Sequence, residues 1–402
     1  MNRPTTEGAG MVKRLAVLFP SGQLDRCPTL KSLALALAEQ GYRVDVYTVE
    51  SESCAKPAFD HPAIRVYFLW WKQRRFYEPV GLVTLAFAFW VLRELSRRDY
   101  GCVIGAGIRG LLVGALVSLV HRVPVIYHCL ELYISSEHPG ILFGVFKALE
   151  RWSNSRCEFT IIQDSERAGI LCRENGVPMD RILLLPNSPP GRASRKKSDY
   201  LQKRLGIPEN RKVILCAGTI FARWAMAKEL VEAAQEWPDD WVLVLHSSAA
   251  PERPEFVASL EAANTKGRAV LSLRPVPYEE LESLVSSADV GLAIYNNTSE
   301  NMYQIGLSSG KLAQYLKSGL PVVVSDFPAL RRIVEQYRCG AVVAHPGQIR
   351  DALLAIFADY QSYCRGSIES FDRLFALHRY EGVLLERLAR IVQERQQRRC
   401  RH

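Results

Sequence analysis

The chain has 402 residues, 48% of them hydrophobic, and a formal charge of +9 from 51 basic and 42 acidic side chains. That length exceeds one ordinary core and suits two domains of similar size. The basic excess fits an anionic partner such as a nucleotide diphosphate or an anionic membrane. Nucleic acid is not expected, because no basic helix or aromatic sheet motif accompanies the charge. Ten cysteines without a CxxC pair or a Cys/His cluster at metal spacing indicate neither a zinc site nor a disulfide scaffold and fit the reduced cytoplasm.

The amino terminus, MNRPTTEGAG, lacks the apolar core of a signal peptide, so no cleavage is expected. Short β-type runs then alternate with helix-length segments. Strands are predicted at Leu15 to Phe19, Val44 to Thr48, Ile64 to Leu69, Cys102 to Gly105, Val123 to Tyr127, Phe159 to Ile162 and Ile182 to Leu185. A helix over Thr29 to Gln40 carries Leu30, Leu33, Ala34 and Leu37 on one face, with Pro28 before it and Gly41 as its stop. Gly22, after the first strand, is either a turn glycine or a point where a ligand approaches the backbone closely. Trp70, Trp71, Lys72, Arg74, Arg75, Phe76 and Tyr77 mix rings with cations: a membrane-interface anchor, or aromatics packed in the domain with cations reaching outward. The apolar run Val80 to Leu92 is only 13 residues long. A bilayer span needs about 20, so a buried or interfacial helix is predicted. His128 closes the fifth strand at the carboxyl edge, where doubly wound sheets bind ligands. Glu131, three residues on, either orients it or caps the next segment. Asp164 and Ser165 read as helix-capping residues.

The stretch PNSPPGRASRKK, Pro186 to Lys197, has no apolar periodicity and reads as the linker. A second alternation follows, with strands at Val213 to Ala217, Val242 to His246, Ala269 to Leu273, Val290 to Ile294, Val322 to Ser325 and Ala341 to Val343, then a terminal helix over Tyr380 to Gln397. The rhythm predicts an α/β chain of two Rossmann-like doubly wound domains, residues 1–190 and 191–375. Residues 376–402 form a helix returning to the first domain and a basic tail.

The densest chemical signal is SSGKLAQYLKSGLPVVVSDFPAL, Ser308 to Leu330. Ser308 and Ser309 would cap a helix whose free N–H groups and dipole face an anion, with the Ser309 and Gly310 amides completing the cradle and Lys311 adding a full charge. Leu312, Tyr315 and Leu316 mark the core face, whereas Ser308, Lys311 and Gln314 share another. Read alone, the segment also fits a plain capped crossover helix.

KLAQYLKSGLPVVVSD resembles the donor-binding motif of GT-B-fold, family-4-like glycosyltransferases. AGTI with Gly218 and Thr219, followed by Arg223 and Lys228, resembles the loop and helix that grip the donor phosphates there. RPVPYEEL, Arg274 to Leu281, resembles the turn beside the nucleotide base, through Pro275 and Val276. ADVGLAIY, Ala288 to Tyr295, resembles the next strand. LAVLFPSGQLDRCPTLKSLALALAEQGYRVDVYT, VPVIYHCLELY, LERWSNSRCEFTIIQDSERAGIL and RILLLPNS resemble the acceptor domain and the start of its linker.

The resemblance implies two domains facing across a cleft, with the sugar nucleotide held by the second. It implies transfer of a hexose-type sugar, with retention, to a glycan or lipid-linked acceptor at the cytoplasmic membrane face. His128, Arg223 and Lys311 would be catalytic, and no metal or cofactor is expected. The family commonly carries two glutamates eight positions apart, and by register from Gly319 the second is Gln314 here and the first Gly306. Glu300, on the preceding loop, is a possible substitute. Alternatives are a sugar-nucleotide epimerase of the same fold and a non-catalytic partner subunit.

Overall fold

The computed structural model describes residues 13–21, 24, 27–50, 59, 61–70, 80–220, 225–248 and 253–400. The chain divides into two compact units, Met1–Leu185 with His378–His402, and Pro186–Leu377.

The first unit runs β1 (Arg14–Phe19), α1 (Pro28–Glu39), β2 (Arg43–Glu50), β3 (Ile64–Trp70), α2 (Val80–Leu95), β4 (Cys102–Ala106), α3 (Gly107–His121), β5 (Val125–His128), α4 (Ile141–Asn154), β6 (Thr160–Ile162), α5 (Ser165–Asn175) and β7 (Ile182–Leu184). All seven strands are parallel, in the order β3-β2-β1-β4-β5-β6-β7. β5 begins at Val125 rather than Val123, since Pro124 has no N–H to give to a ladder. α2 is the expected buried or interfacial helix, with Phe87, Ala88, Val91 and Leu95 in the core. Among the described residues no helix is long and apolar enough to cross a membrane.

The second unit runs α6 (Tyr200–Leu205), β8 (Lys212–Gly218), α7 (Ala227–Ala234), β9 (Trp241–Ser247), α8 (Pro254–Ala263), β10 (Ala269–Ser272), α9 (Tyr278–Ser286), β11 (Val290–Ala293), α10 (Glu300–Tyr303), α11 (Gly310–Lys317), β12 (Val322–Ser325), α12 (Pro328–Tyr337), β13 (Gly340–Val343), α13 (Ile349–Ala358) and α14 (Tyr360–Ser370). Its six strands are parallel, in the order β10-β9-β8-β11-β12-β13. Alternate residues of β8 enter opposite cores: Val213 and Leu215 join Tyr315 and Leu330, whereas Ile214 and Cys216 join Leu230 and Leu243. Helices cover both faces, which is why these strands read as unbroken apolar runs.

The basic linker is structural in part. Arg195 donates at 2.9 Å to the carbonyls of both Ser286 and Ala288, closing the carboxyl end of α9, and Lys197 pairs with Asp289. α15 (His378–Cys400) packs in the first unit, burying Leu384, Leu388 and Val392, and Arg395 pairs with Asp99 at 2.9 Å. In each sheet the strand order reverses once, between β1 and β4 and between β8 and β11. The crevice outside the carboxyl ends at such a reversal is where open α/β sheets bind ligands.

Candidate active site

At the reversal of the second sheet, β8 ends on Gly218, whose φ of +130° is a conformation that side chains avoid. Its amide neighbour is locked in place, because the Ala217 N–H donates to the Tyr315 hydroxyl at 2.7 Å. The Tyr315 ring in turn lies where a Cβ on Gly291 of β11 would come within 2.4 Å of it. Only glycine at 291 lets α11 approach β11 and β8 this closely.

α11 starts at this locked corner. Ser309 is its N-cap, accepting from the Leu312 N–H at 3.1 Å and sharing a 2.5 Å hydrogen bond with the Tyr295 hydroxyl. Lys311 sits 4.5 Å above the Tyr295 ring, and its Cε would touch a Cβ built on Gly218 at 3.6 Å. Lys311 has no carboxylate partner among the described residues. Its charge is felt locally: burial raises the Tyr295 hydroxyl and the Cys216 thiol, and Lys311 opposes both shifts. The preceding loop is pinned by the linker, since Asn187 donates from its backbone to Leu307 O at 2.8 Å and from its side chain to Ser308 O at 2.5 Å.

Two details of the expected cradle change. The Ser309 N–H donates to Gly306 O at 3.0 Å and is therefore occupied, leaving the Gly310 and Lys311 amides as the open donors among the described residues. Ser308 is not a cap, and its hydroxyl is buried without a partner. Leu312, Tyr315 and Leu316 form the core face as predicted, each 0% exposed. Gln314 is also buried, with no hydrogen bond from its side chain to the described residues. A Cβ on Gly306 would meet the Ala329 Cβ at 2.7 Å, so no side chain fits there unless Ala329 shifts.

Of the remaining predicted donor residues, Thr219 lies 3.4 Å from the Ser248 hydroxyl, both following the ends of their strands. Pro275 and Val276 lie in the loop after β10, Pro275 exposed and Val276 partly buried. Lys228 is exposed on α7 and pairs with Glu232 at 3.7 Å, as a solvated surface pair would. Glu300 is exposed in the first turn of α10, beside its Ser299 cap. Arg223 and Gly22 lie outside the described residues, as do Trp71, Arg74 and Arg75.

In the first unit His128 is the last residue of β5 and 0% exposed, with neither ring nitrogen hydrogen-bonded. Burial lowers its pKa to about 4, so the imidazole is neutral at pH 7. The exposed Glu131 does not bond it, contrary to one expectation. The segment after His128 is instead held by Gln163, which donates to Cys129 O at 2.8 Å and accepts from Arg167 at 2.9 Å. Asp164 caps α5 as predicted, accepting from the Arg167 N–H at 2.8 Å. At the matching edge of the first sheet's reversal, Arg109 donates to Pro20 O at 3.2 Å.

Sequence reasoning passed over Tyr295, whose signal was its place at the end of a buried strand at the reversal. It also passed over His246, buried at the carboxyl end of β9 with Nδ1 3.0 Å from the Ser272 hydroxyl and a pKa lowered to about 4, chiefly by burial. Among the described residues no group of three or more His, Cys, Asp or Glu is placed to hold a metal ion.

Together these groups bring to one corner an ammonium with no carboxylate partner among the described residues, two open N–H groups and the positive end of a helix dipole, an arrangement suited to an anion. The family model for the glycosyl transferase 4-like domain matches residues 28–188, and that for the glucosyltransferase 3-like C-terminal domain matches residues 246–377. No curated protein sequence matches the chain. Among solved structures, sucrose-phosphate synthase from Thermosynechococcus elongatus is similar at 16% identity and TM-score 0.71, over 94% of this chain and 98% of that one. HepE from Anabaena, solved with UDP and glucose, is similar at 17% identity and TM-score 0.68, over 94% and 100%. WaaG, a glycosyltransferase involved in lipopolysaccharide biosynthesis, is similar at 15% identity and TM-score 0.62, over 89% and 94%. With glycosyltransferase family models matching residues 28–188 and 246–377, together more than half of its length, the chain belongs to the family-4-like glycosyltransferases of GT-B fold.

Proposed function

We propose that this enzyme moves a hexose from a nucleoside diphosphate to a glycan or lipid-linked acceptor, with retention of anomeric configuration, at the cytoplasmic face of the membrane. The observation that carries the donor assignment is Lys311: a cation without a carboxylate partner among the described residues, at a helix start, beside the end of β8 at the sheet reversal.

Breaking the bond between sugar and diphosphate leaves negative charge on the leaving phosphate as positive character grows on the sugar. Donors fixed in advance around that phosphate stabilise the transition state more than the ground state. Lys311 and the Gly310 and Lys311 amides supply this on the second unit, with Arg223 assigned a bidentate grip on the same phosphates. The chain has no DxD-type carboxylate pair, so the compensating charge is assigned to protein cations and to no metal. His128 is assigned to the transferred sugar. A neutral imidazole with both nitrogens open offers one donor and one acceptor to hydroxyls.

Incubation with a panel of sugar nucleotides and glycan or lipid-linked acceptors tests the reading, with nucleoside diphosphate release and the product's anomeric coupling as readouts. Transfer with retention is expected. Isomerised donor without acceptor would assign an epimerase, and absence of both binding and transfer across the panel would sink the proposal. His128→Ala is expected to lower kcat about a hundredfold while leaving affinity for the nucleoside diphosphate unchanged; an equal loss in both would place His128 elsewhere.

A further inference from the structure

Most large hydrophobic side chains on the surface of the described residues fall on three neighbouring helices of the first unit. On α4, Ile141, Leu142, Val145, Leu149 and Trp152 are 89%, 87%, 55%, 45% and 40% exposed, spaced as one stripe along the helix. On α2 the stripe is Leu82, Leu85 and Phe89, and on α3 it is Leu116, Leu119 and Val120. α3 packs against both α2 and α4, so the three stripes belong to one side of the sheet. An exposed apolar surface on this scale marks an interaction site.

The charge pattern selects the partner. The only carboxylates on the three helices are Glu94, bonded to Arg97, and Glu150, fully buried against Lys147 at 2.8 Å. Arg93, Arg122 and Arg156 are exposed and make no ion pair among the described residues. Arg156 lies over the Trp152 ring, 3.9 Å from its centroid, which puts an indole and a guanidinium together at the margin of the apolar stripe. An apolar band with cations at its margin and no unpaired carboxylate on the three helices matches an anionic lipid surface. A second copy of this face would set cation against cation.

We propose that the outer face of α2, α3 and α4 docks this enzyme on an anionic bilayer. The inference extends the membrane-side acceptor reading but does not depend on the donor cradle, and it replaces the Trp70 to Tyr77 patch as the described candidate. Of that patch Trp70 alone is described, exposed at the end of β3.

Co-sedimentation of the full chain with vesicles of phosphatidylcholine, alone or mixed with phosphatidylglycerol, tests it. Binding is expected to the mixed vesicles and to weaken as salt rises from about 0.1 M to about 1 M. The double variant Phe89→Glu/Leu142→Glu changes two exposed side chains and is expected to cut partitioning at least about tenfold while keeping the thermal shift given by UDP. A second variant, Arg93→Ser/Arg122→Ser/Arg156→Ser, leaves the apolar band intact and should lose the preference for phosphatidylglycerol. Wild-type protein that ignores both vesicles overturns the proposal, as does either variant partitioning like wild type. A homodimer that Leu142→Glu disperses also overturns it, since a second copy would then cover the face.

Discussion

Lys311, Ser309 and Tyr295 form one connected unit at the start of α11. The Ser309 hydroxyl satisfies the Leu312 N–H and the Tyr295 hydroxyl, and the Tyr295 ring carries the Lys311 ammonium. Ser309→Ala is therefore expected to cost about 1 kcal/mol of stability through the lost cap and to weaken nucleotide binding; a denaturant midpoint equal to wild type would contradict this.

Two buried imidazoles make a separate prediction about acid. His128 and His246 both fall from an ordinary 6.5 to about 4, in each case mainly through burial. Between those values the unfolded chain binds protons that the folded chain refuses. Stability is complete above pH 6.5 and falls as pH drops toward 4, by up to about 1.4 kcal/mol per pH unit for each group. Denaturant unfolding across that range should show the slope, and His128→Asn should reduce it. An unchanged slope in that variant would mean His128 takes up its proton without cost.

The capping role of Ser309 was legible, because small polar residues before an apolar-periodic run signal a helix start. That its own N–H is occupied by Gly306 O was not legible, since this depends on how the 306–309 loop folds back. Tyr295 was hidden for a related reason: a tyrosine ending a strand looks the same in sequence whether or not its ring carries a cation.

Among the elements, every predicted strand is present, with no end moved by more than two residues. Parallel strands covered on both faces must be apolar throughout, and that signal survives without any knowledge of neighbours. Helix faces are less legible. The apolar side chains on α4 point outward, and periodicity alone does not say which side of a helix meets the sheet. The linker shows the same limit, because Arg195 reads as a solvated cation until the carboxyl end of α9 is placed against it. Gly306 marks where the α11 loop meets α12. With 2.7 Å between a new Cβ and that of Ala329, Gly306→Ala is expected to cost about 1–3 kcal/mol by overpacking. A neutral result in chemical denaturation would show that the loop yields.

At the scale of the molecule, two parallel sheets of seven and six strands each present a reversal, and the residues proposed for the chemistry lie near those reversals. His128 stands in the strand next to the reversal of the first sheet, and Lys311 at that of the second. Glycosyltransferase domain models match both halves, and the likeness to solved relatives extends over nearly the whole chain. The ammonium at 311 is the proposed diphosphate ligand on which the donor assignment depends. Calorimetric titration of UDP into wild-type protein and into Lys311→Met tests it directly. Binding by the wild type, with affinity falling about a hundredfold or more in the variant, is the predicted result for a desolvated charge-assisted contact. Equal affinity in the two proteins, with folding unchanged, would contradict it.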